Sequence, residues 1–179
     1  WLVDWVQDRL ALVVLRCRRP PGATLFPPTT LCRSREVKVI PLPVVWVEHD
    51  LVPVSENGDL NILAAGRLVP VKGFDVLIEA IALVKKQCPT VRLTICGEGP
   101  ERPRLESLIS TLGLHENVVL AGYVSGIRPW LDACRMFDLS SYAERYGAGL
   151  VEALAAGRQI VSSRGTPALK DLLQAPGVG

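Results

Sequence analysis

The rhythm of polar and apolar positions changes near residue 60. Asn61 to Leu68 is a short apolar run, and after it Phe74, Leu77, Ile78, Ile81 and Val84 recur at the spacing of one helix face, up to Lys85 and Lys86. A strand followed by an amphipathic helix is predicted. The unit repeats: Val91 to Cys96 reads as a strand ending at Gly97-Glu98-Gly99-Pro100, and Leu105, Leu108, Ile109 and Leu112 keep the helical period until Gly113. Val118 to Ala121, a helix around Pro129 to Cys134, Met136 to Ser140, a short helix at Leu150 to Ala156 capped by Gly157, and Gln159 to Ser163 continue the alternation. Five strands alternating with helices predict an α/β fold, with a mainly parallel sheet and helices on both faces. Ligands of such sheets bind beyond the carboxyl ends of the strands, so the chemistry is expected in the loops that follow them.

Before residue 60 the pattern is broken. Arg16 to Arg19 and then Pro20, Pro21, Pro27, Pro28, Pro41, Pro43 and Pro53 interrupt any long period, leaving Val37 to Ile40 as the one clear strand and Ser55 to Asp59 as a polar turn. The whole chain has 179 residues, 49% hydrophobic and 21% charged, which fits one packed domain and excludes disorder, collagen and tandem arrays. Twenty Lys and Arg against 18 Asp and Glu leave a net charge of +2, too little to make nucleic acid the main partner. Asp4, Asp8 and Arg9 interrupt the apolar patches of the first fifteen residues, and no run reaches the ~18 apolar residues of a membrane span. Five cysteines without a C-x-x-C point away from a disulfide framework or a zinc site, and toward a reducing, cytosolic setting.

Two loops could carry chemistry. In Gly66-Arg67-Leu68-Val69-Pro70-Val71-Lys72-Gly73, Gly66 permits close backbone approach, while Arg67 and Lys72 fit either a phosphate site or two solvated surface cations. In Glu144-Arg145-Tyr146-Gly147-Ala148-Gly149-Leu150-Val151-Glu152-Ala153-Leu154, two glycines precede a helix whose free N-terminal amides would face an open loop. Such amides suit an anionic group. Glu152, expected in the first helical turn, and Glu144, in the preceding loop, could accept hydrogen bonds from a polyol, or could complement the helix dipole and be solvated.

In chain order, Gly66-Arg67 to Lys72-Gly73, Gly97-Glu98-Gly99-Pro100-Glu101-Arg102, Gly122-Tyr123-Val124, Glu144 with seven residues before Glu152, and Ala153-Leu154-Ala155-Ala156-Gly157 form a series. The series resembles the C-terminal, donor-binding domain of family 4 glycosyltransferases, retaining enzymes of the GT-B fold with two Rossmann-like domains. It covers roughly residues 37 to 179. The resemblance implies that residues 1–55 are a remnant of the N-terminal acceptor domain and linker, and that residues 56–179 are the donor nucleotide-sugar-binding domain, truncated at both ends.

The resemblance also implies roles. Arg67 and Lys72 would hold the donor diphosphate beside Gly66, Tyr146 and the amides of Gly147, Ala148, Gly149 and Leu150 would meet the phosphates and the transferred sugar, and Glu144 would bind sugar hydroxyls. Glu152 would take the ribose, with Tyr123 and Val124 at the base. Arg67, Lys72 and Glu144 would be the catalytic residues, the two cations stabilising charge on the leaving nucleotide diphosphate. No metal or other cofactor is implied, and the chain has no Asp-x-Asp pair. The implied activity moves a sugar from a nucleotide-diphosphate sugar to an unknown sugar or lipid-linked acceptor with retention, in polysaccharide assembly. The alternatives are an inactive nucleotide-binding fragment and an interaction domain of the same fold. The implied place is the cytoplasm, at the inner face of the plasma membrane if the whole protein associates with it.

Some positions depart from that pattern. Arg145 stands where the family has Gly, and Arg135 where it often has Asp. Asp138 falls inside a strand expected to be buried, so it must find a cation, reach solvent or lie at a strand end. His49 and His115 belong to no nucleophile motif, and Gly97-x-Gly99 lacks the third glycine of a dinucleotide fingerprint.

Overall fold

The computed structural model describes residues 12–15, 52, 60–144 and 147–163, the first four as backbone only. The strand expected at Val37 to Ile40, the turn at Ser55 to Asp59, His49, Arg145 and Tyr146 lie outside these residues. The strands are β1 (Leu12–Leu15), β2 (Asn61–Ala65), β3 (Arg92–Cys96), β4 (Val118–Gly122), β5 (Met136–Leu139) and β6 (Gln159–Ser163). The helices are α1 (Phe74–Val84), α2 (Arg102–Thr111), α3 (Arg128–Ala133) and α4 (Ala148–Ala155).

One sheet runs β1-β6-β5-β2-β3-β4. Every pairing from β6 across to β4 is parallel, as expected, while β1 lies antiparallel along β6 with Leu12 opposite Ser163. That sixth strand corrects the expectation of five. Its four residues, Leu-Val-Val-Leu, carry no alternation of polar and apolar positions, so the sequence shows an apolar patch but not a pairing partner.

Each helix is bounded by its own sequence. Gly73 sits at φ +63° ahead of α1, where an L side chain is strained, and Asp75 places a carboxylate in the positive first turn. Phe74, Leu77, Ile78 and Ile81 then face inward; burying each is worth roughly 1.5–3 kcal/mol. Pro103 opens α2, where its missing N–H costs nothing, and Gly113 at φ +63° follows its end. Leu105 and Ile109 are buried, but Leu112, expected on the same face, is exposed because it lies in the cap, past the last helical turn.

The order of strands creates the crevice that matters. From β2 the chain steps outward through α1, β3, α2 and β4, then returns to lay β5 on the other side of β2 and β6 beyond it. Leucines and isoleucines of α1 and α2 pack in one core with Ile62, Ala64, Leu93 and Ile95. Leu131 of α3 and Leu150 and Ala153 of α4 pack in another with Leu63, Phe137 and Ile160. The helices therefore cover opposite faces, and the loops leaving β2 and β5 diverge between them. Ligand crevices of open parallel sheets form at such a switch point.

Candidate functional site at the β2 and β5 switch point

β2 and β5 are adjacent and parallel, with Ala64 opposite Asp138, so the loops leaving their carboxyl ends start side by side. Those loops are joined. Tyr142 donates its backbone N–H to the Val71 carbonyl at 2.9 Å, and the Ser140 hydroxyl donates to the Lys72 carbonyl at 2.9 Å. A Cβ on Gly73 would stand 2.5 Å from the Ser140 carbonyl oxygen, so only glycine lets the two backbones approach this closely.

This contact sets the direction of Lys72. After a single turn over Pro70–Lys72, its side chain lies back over Gly66, where an added Cβ would come within 3.2 Å of Lys72 Cε. The Lys72 ammonium forms an ion pair with Glu144 Oε2, and both side chains are largely covered. Glu144 in turn packs beside Gly147, whose Cβ would lie 3.6 Å from Glu144 Cγ. Gly147 is at φ +69° and precedes α4, and no side chain caps that helix. Its first internal bond runs from the Val151 N–H to the Gly147 carbonyl at 3.1 Å, which leaves the Ala148, Gly149 and Leu150 amides ahead of the ladder. One cation, one carboxylate and a helix N-terminus thus meet at the switch point.

The other expected site residues are placed differently. Arg67 is exposed and makes no described ion pair, so within its loop only Lys72 is drawn into the crevice. Glu152 is the fifth residue of α4, not in its first turn as expected, because the helix begins at Ala148 rather than Leu150. It cannot complement the first-turn amides; its side chain is exposed, and partial desolvation holds its carboxyl above the ordinary range. Tyr123 is 82% exposed, whereas Val124 is half-buried against the α3 and α4 core. Tyr123 is therefore the one of the pair that presents its side chain outward.

Gly97 and Gly99 have a structural reason. A Cβ on Gly97 would sit 1.8 Å from the Gly66 carbonyl oxygen, and one on Gly99 would sit 2.3 Å from that of Leu68. The loops after β2 and β3 are bonded through Gly66 N–H to the Cys96 carbonyl and Leu68 N–H to the Glu98 carbonyl, both at 2.9 Å. The two glycines hold that loop pair together, which accounts for them without a dinucleotide.

Asp138 does none of the three things expected of it. It is buried in mid-sheet, no described cation faces it, and its Oδ2 has no partner. Burial pushes its carboxyl up to about 7 against the lowering effect of hydrogen bonds with Ser140. Ser140 and Tyr142, which join the loops, carried no motif in the sequence. Arg158 is buried as well, donating to the carbonyls of Ala156, Cys134 and Val52. Cys96 and Cys134 are buried free thiols; burial raises both, Cys134 to about 11.

Among the described residues, no group of three or more His, Cys, Asp or Glu could hold a metal ion, and no helix is long and apolar enough to cross a membrane.

Comparison with known proteins places these features in context. The family described as glycosyl transferases group 1 matches residues 59–178. The lipopolysaccharide core biosynthesis glycosyltransferase LpsE of Rhizobium meliloti is 39% identical over 103 residues, covering 58% of this chain and 29% of that protein. One component of the human phosphatidylinositol N-acetylglucosaminyltransferase is 32% identical over 130 residues, 72% of this chain and 27% of its own. The crystal structure of Anabaena HepE in complex with UDP superposes with a TM-score of 0.57 at 28% identity, over 63% of this chain and 32% of that one. The chain spans less than a third of the length of these relatives.

Proposed function

The chain belongs to the glycosyl transferases group 1 family, and from that premise we propose that it is the donor-binding part of a retaining, nucleotide-sugar-dependent glycosyltransferase, with residues 56–179 forming the donor domain. The observation that carries this reading is the Lys72–Glu144 pair beside the uncapped N-terminus of α4, at the switch point of the sheet. A diphosphate seated there meets an ammonium and the backbone amides of Ala148, Gly149 and Leu150, which neutralise it without a metal. Lys72 then exchanges part of its contact with Glu144 for a phosphate oxygen. Glu144 turns to the hydroxyls of the transferred sugar, which its carboxylate accepts.

As the bond from the anomeric carbon to the diphosphate breaks, negative charge grows on the leaving oxygen, and Lys72 is already placed to stabilise it. Arg67, exposed at the mouth of the same loop, adds a second cation when the phosphates arrive. Tyr123 borders the base, and Glu152 reaches the ribose from the second turn of α4. UDP is the first nucleotide to test, since HepE is crystallised with it. The name of LpsE supports envelope polysaccharide assembly as the setting, in the cytoplasm, with an acceptor bound by the other domain of the whole enzyme.

Calorimetric titration with UDP and UMP tests the reading. UDP should bind more tightly than UMP, and Lys72→Ala should weaken UDP by about tenfold or more, the worth of one hydrogen bond to a charged group. Equal affinity for UDP and UMP, or UDP binding untouched by Lys72→Ala, would refute it.

A further inference from the structure

The side chains of Glu98 and Arg102, which follow β3, are used by no step above. β4 is the last strand of the sheet among the described residues, and its pairing with β3 breaks at its carboxyl end: Ile95 pairs with Leu120 and Cys96 with Gly122, so Ala121 is the extra residue of a bulge. Bulges are rare in parallel pairs, and they re-aim the residues that follow. Here Gly122 follows at φ +78°, and then Tyr123, whose ring stands 82% exposed. Arg102, the first residue of α2, grips this bulge from the side. Its guanidinium donates from Nη2 to the Leu120 carbonyl at 3.2 Å and from Nη1 to Glu98 Oε1 at 3.0 Å, and its Nε pairs with Glu106 Oε1 at 2.9 Å. Glu98 in turn lies against the bulge, its Oε1 3.0 Å from where a Cβ on Gly122 would stand. The two ion pairs are partly exposed and worth little by themselves. Their effect is to aim the planar fork at the Leu120 carbonyl, which a single ammonium could not do while meeting both carboxylates.

We propose that Arg102 is a positioning residue for Tyr123: it clamps the bulged end of β4 to the loop after β3 and so fixes where the exposed ring is presented. β4 lies two strands from β2, on the side away from β5, so the carboxyl ends of β2 and β4 are roughly 10 Å apart at ~4.8 Å per strand. A ligand with its diphosphate at Lys72 and α4 therefore extends its nucleoside toward Tyr123. A ring already held in place stacks on a base at less entropic cost than one that must be ordered on binding. Losing Arg102 thus weakens the grip on the nucleoside and leaves the grip on the diphosphate. That the ring meets a base rests on the proposed function, while the clamp on the bulge does not.

The test reads the two separately in the whole protein with Arg102→Met, or with Arg102→Lys, which keeps the charge without the fork, if methionine prevents folding. Without ligand, amide hydrogen exchange compares two bonds between β3 and β4: from the Gly97 N–H to the Gly122 carbonyl at the bulge, and from the Leu93 N–H to the Asn117 carbonyl at the far end, both 2.7 Å. Exchange at Gly97 should quicken about fivefold more than at Leu93, the worth of one hydrogen bond. Equal quickening at both, or none at Gly97, overturns the clamp. Calorimetry then compares UDP with inorganic pyrophosphate. UDP should weaken by about fivefold, the low end of one base–aromatic stack, and pyrophosphate should not. In a Tyr123→Ala background the loss of Arg102 should make no further difference to UDP. Unchanged UDP binding, an equal loss for both ligands, or the same loss without Tyr123 would overturn the positioning role. If neither ligand binds while Gly97 still responds, the clamp stands and the donor reading falls instead.

Discussion

Lys72 and Glu144 stand 72 positions apart and form one ion pair, joining the loop after β2 to the loop after β5. Neither residue reaches the other by its own loop alone. Lys72 is turned back over Gly66, and the Tyr142 to Val71 backbone bond brings the Glu144 segment alongside. Because the pair is largely covered, removing one partner leaves a desolvated charge behind. Glu144→Gln and Lys72→Met should each cost about 1–3 kcal/mol, between the values for exposed and buried pairs. The double variant should cost less than the sum of the singles. Urea denaturation of the four proteins measures this; additive losses would mean that the pair is not formed in solution.

The loop junctions make a second prediction from glycine. Gly97→Ala forces a Cβ to 1.8 Å from the Gly66 carbonyl oxygen, so the β2 and β3 loops must part, at a cost of about 2 kcal/mol or more. Gly113→Ala faces only the left-handed backbone at φ +63° and meets nothing within 4 Å, so it should cost only about 1 kcal/mol. Thermal melts of both variants check the difference. Equal losses would show that the clash, and with it the close approach of the loops, is absent.

Asp138 predicts the sign of a pH dependence. Its folded carboxyl titrates near 7, above the ordinary value of 3.8, so between those pH values the folded state holds a proton that the unfolded state has lost. Its contribution to stability is therefore fully present below the unfolded value, falls as pH rises through that window, and is level above it. Asp138→Asn should flatten this component and be the more stable protein at pH 8. Melting temperatures of the two proteins from pH 4 to 8 decide the matter, and parallel curves would contradict the buried, unpaired carboxyl.

Arg158 gives a prediction about backbone rather than charge. It is 2% exposed and satisfies carbonyls of Ala156, Cys134 and Val52 from one planar group. Arg158→Met fills much of the volume but strands those acceptors, costing about 2–4 kcal/mol at roughly 1 kcal/mol or more for each. Arg158→Lys should recover little, since a single ammonium does not span three directions. Full recovery by lysine, in chemical denaturation, would contradict the fork geometry.

The parts that were legible in the sequence are those set by short-range periodicity. β6 occupies Gln159–Ser163 as expected, and the inward positions of α1 are Phe74, Leu77, Ile78 and Ile81, as their spacing implied. The boundary of α4 was misplaced because Ala148 and Gly149 carry no apolar signal, although Gly147 at φ +69° starts the helix there. That shift of two residues moved Glu152 out of the first turn. β1 was hidden because four apolar residues name no partner, and its neighbour β6 lies about 150 positions away. The candidate site was half visible: Lys72, Glu144 and the Gly147–Leu150 segment could be named one by one. Their meeting depends on β2 and β5 being neighbours, which strand order decides and local pattern does not. Asp138 was legible only as an acid inside a strand expected to be buried, and Ser140, just past the end of β5, carried no signal.

The most direct test of a donor site at the switch point is a thermal melt of the protein with UDP, GDP and ADP in turn, repeated on Lys72→Ala. A nucleotide diphosphate at ~100 times its dissociation constant stabilises the folded state by ~2.7 kcal/mol, a clear rise in Tm. The account predicts that one nucleotide raises the melting temperature and that Lys72→Ala, at the same nucleotide concentration, cuts the rise to about half or less. A sharp melt unmoved by all three, or a rise undiminished without Lys72, would contradict it.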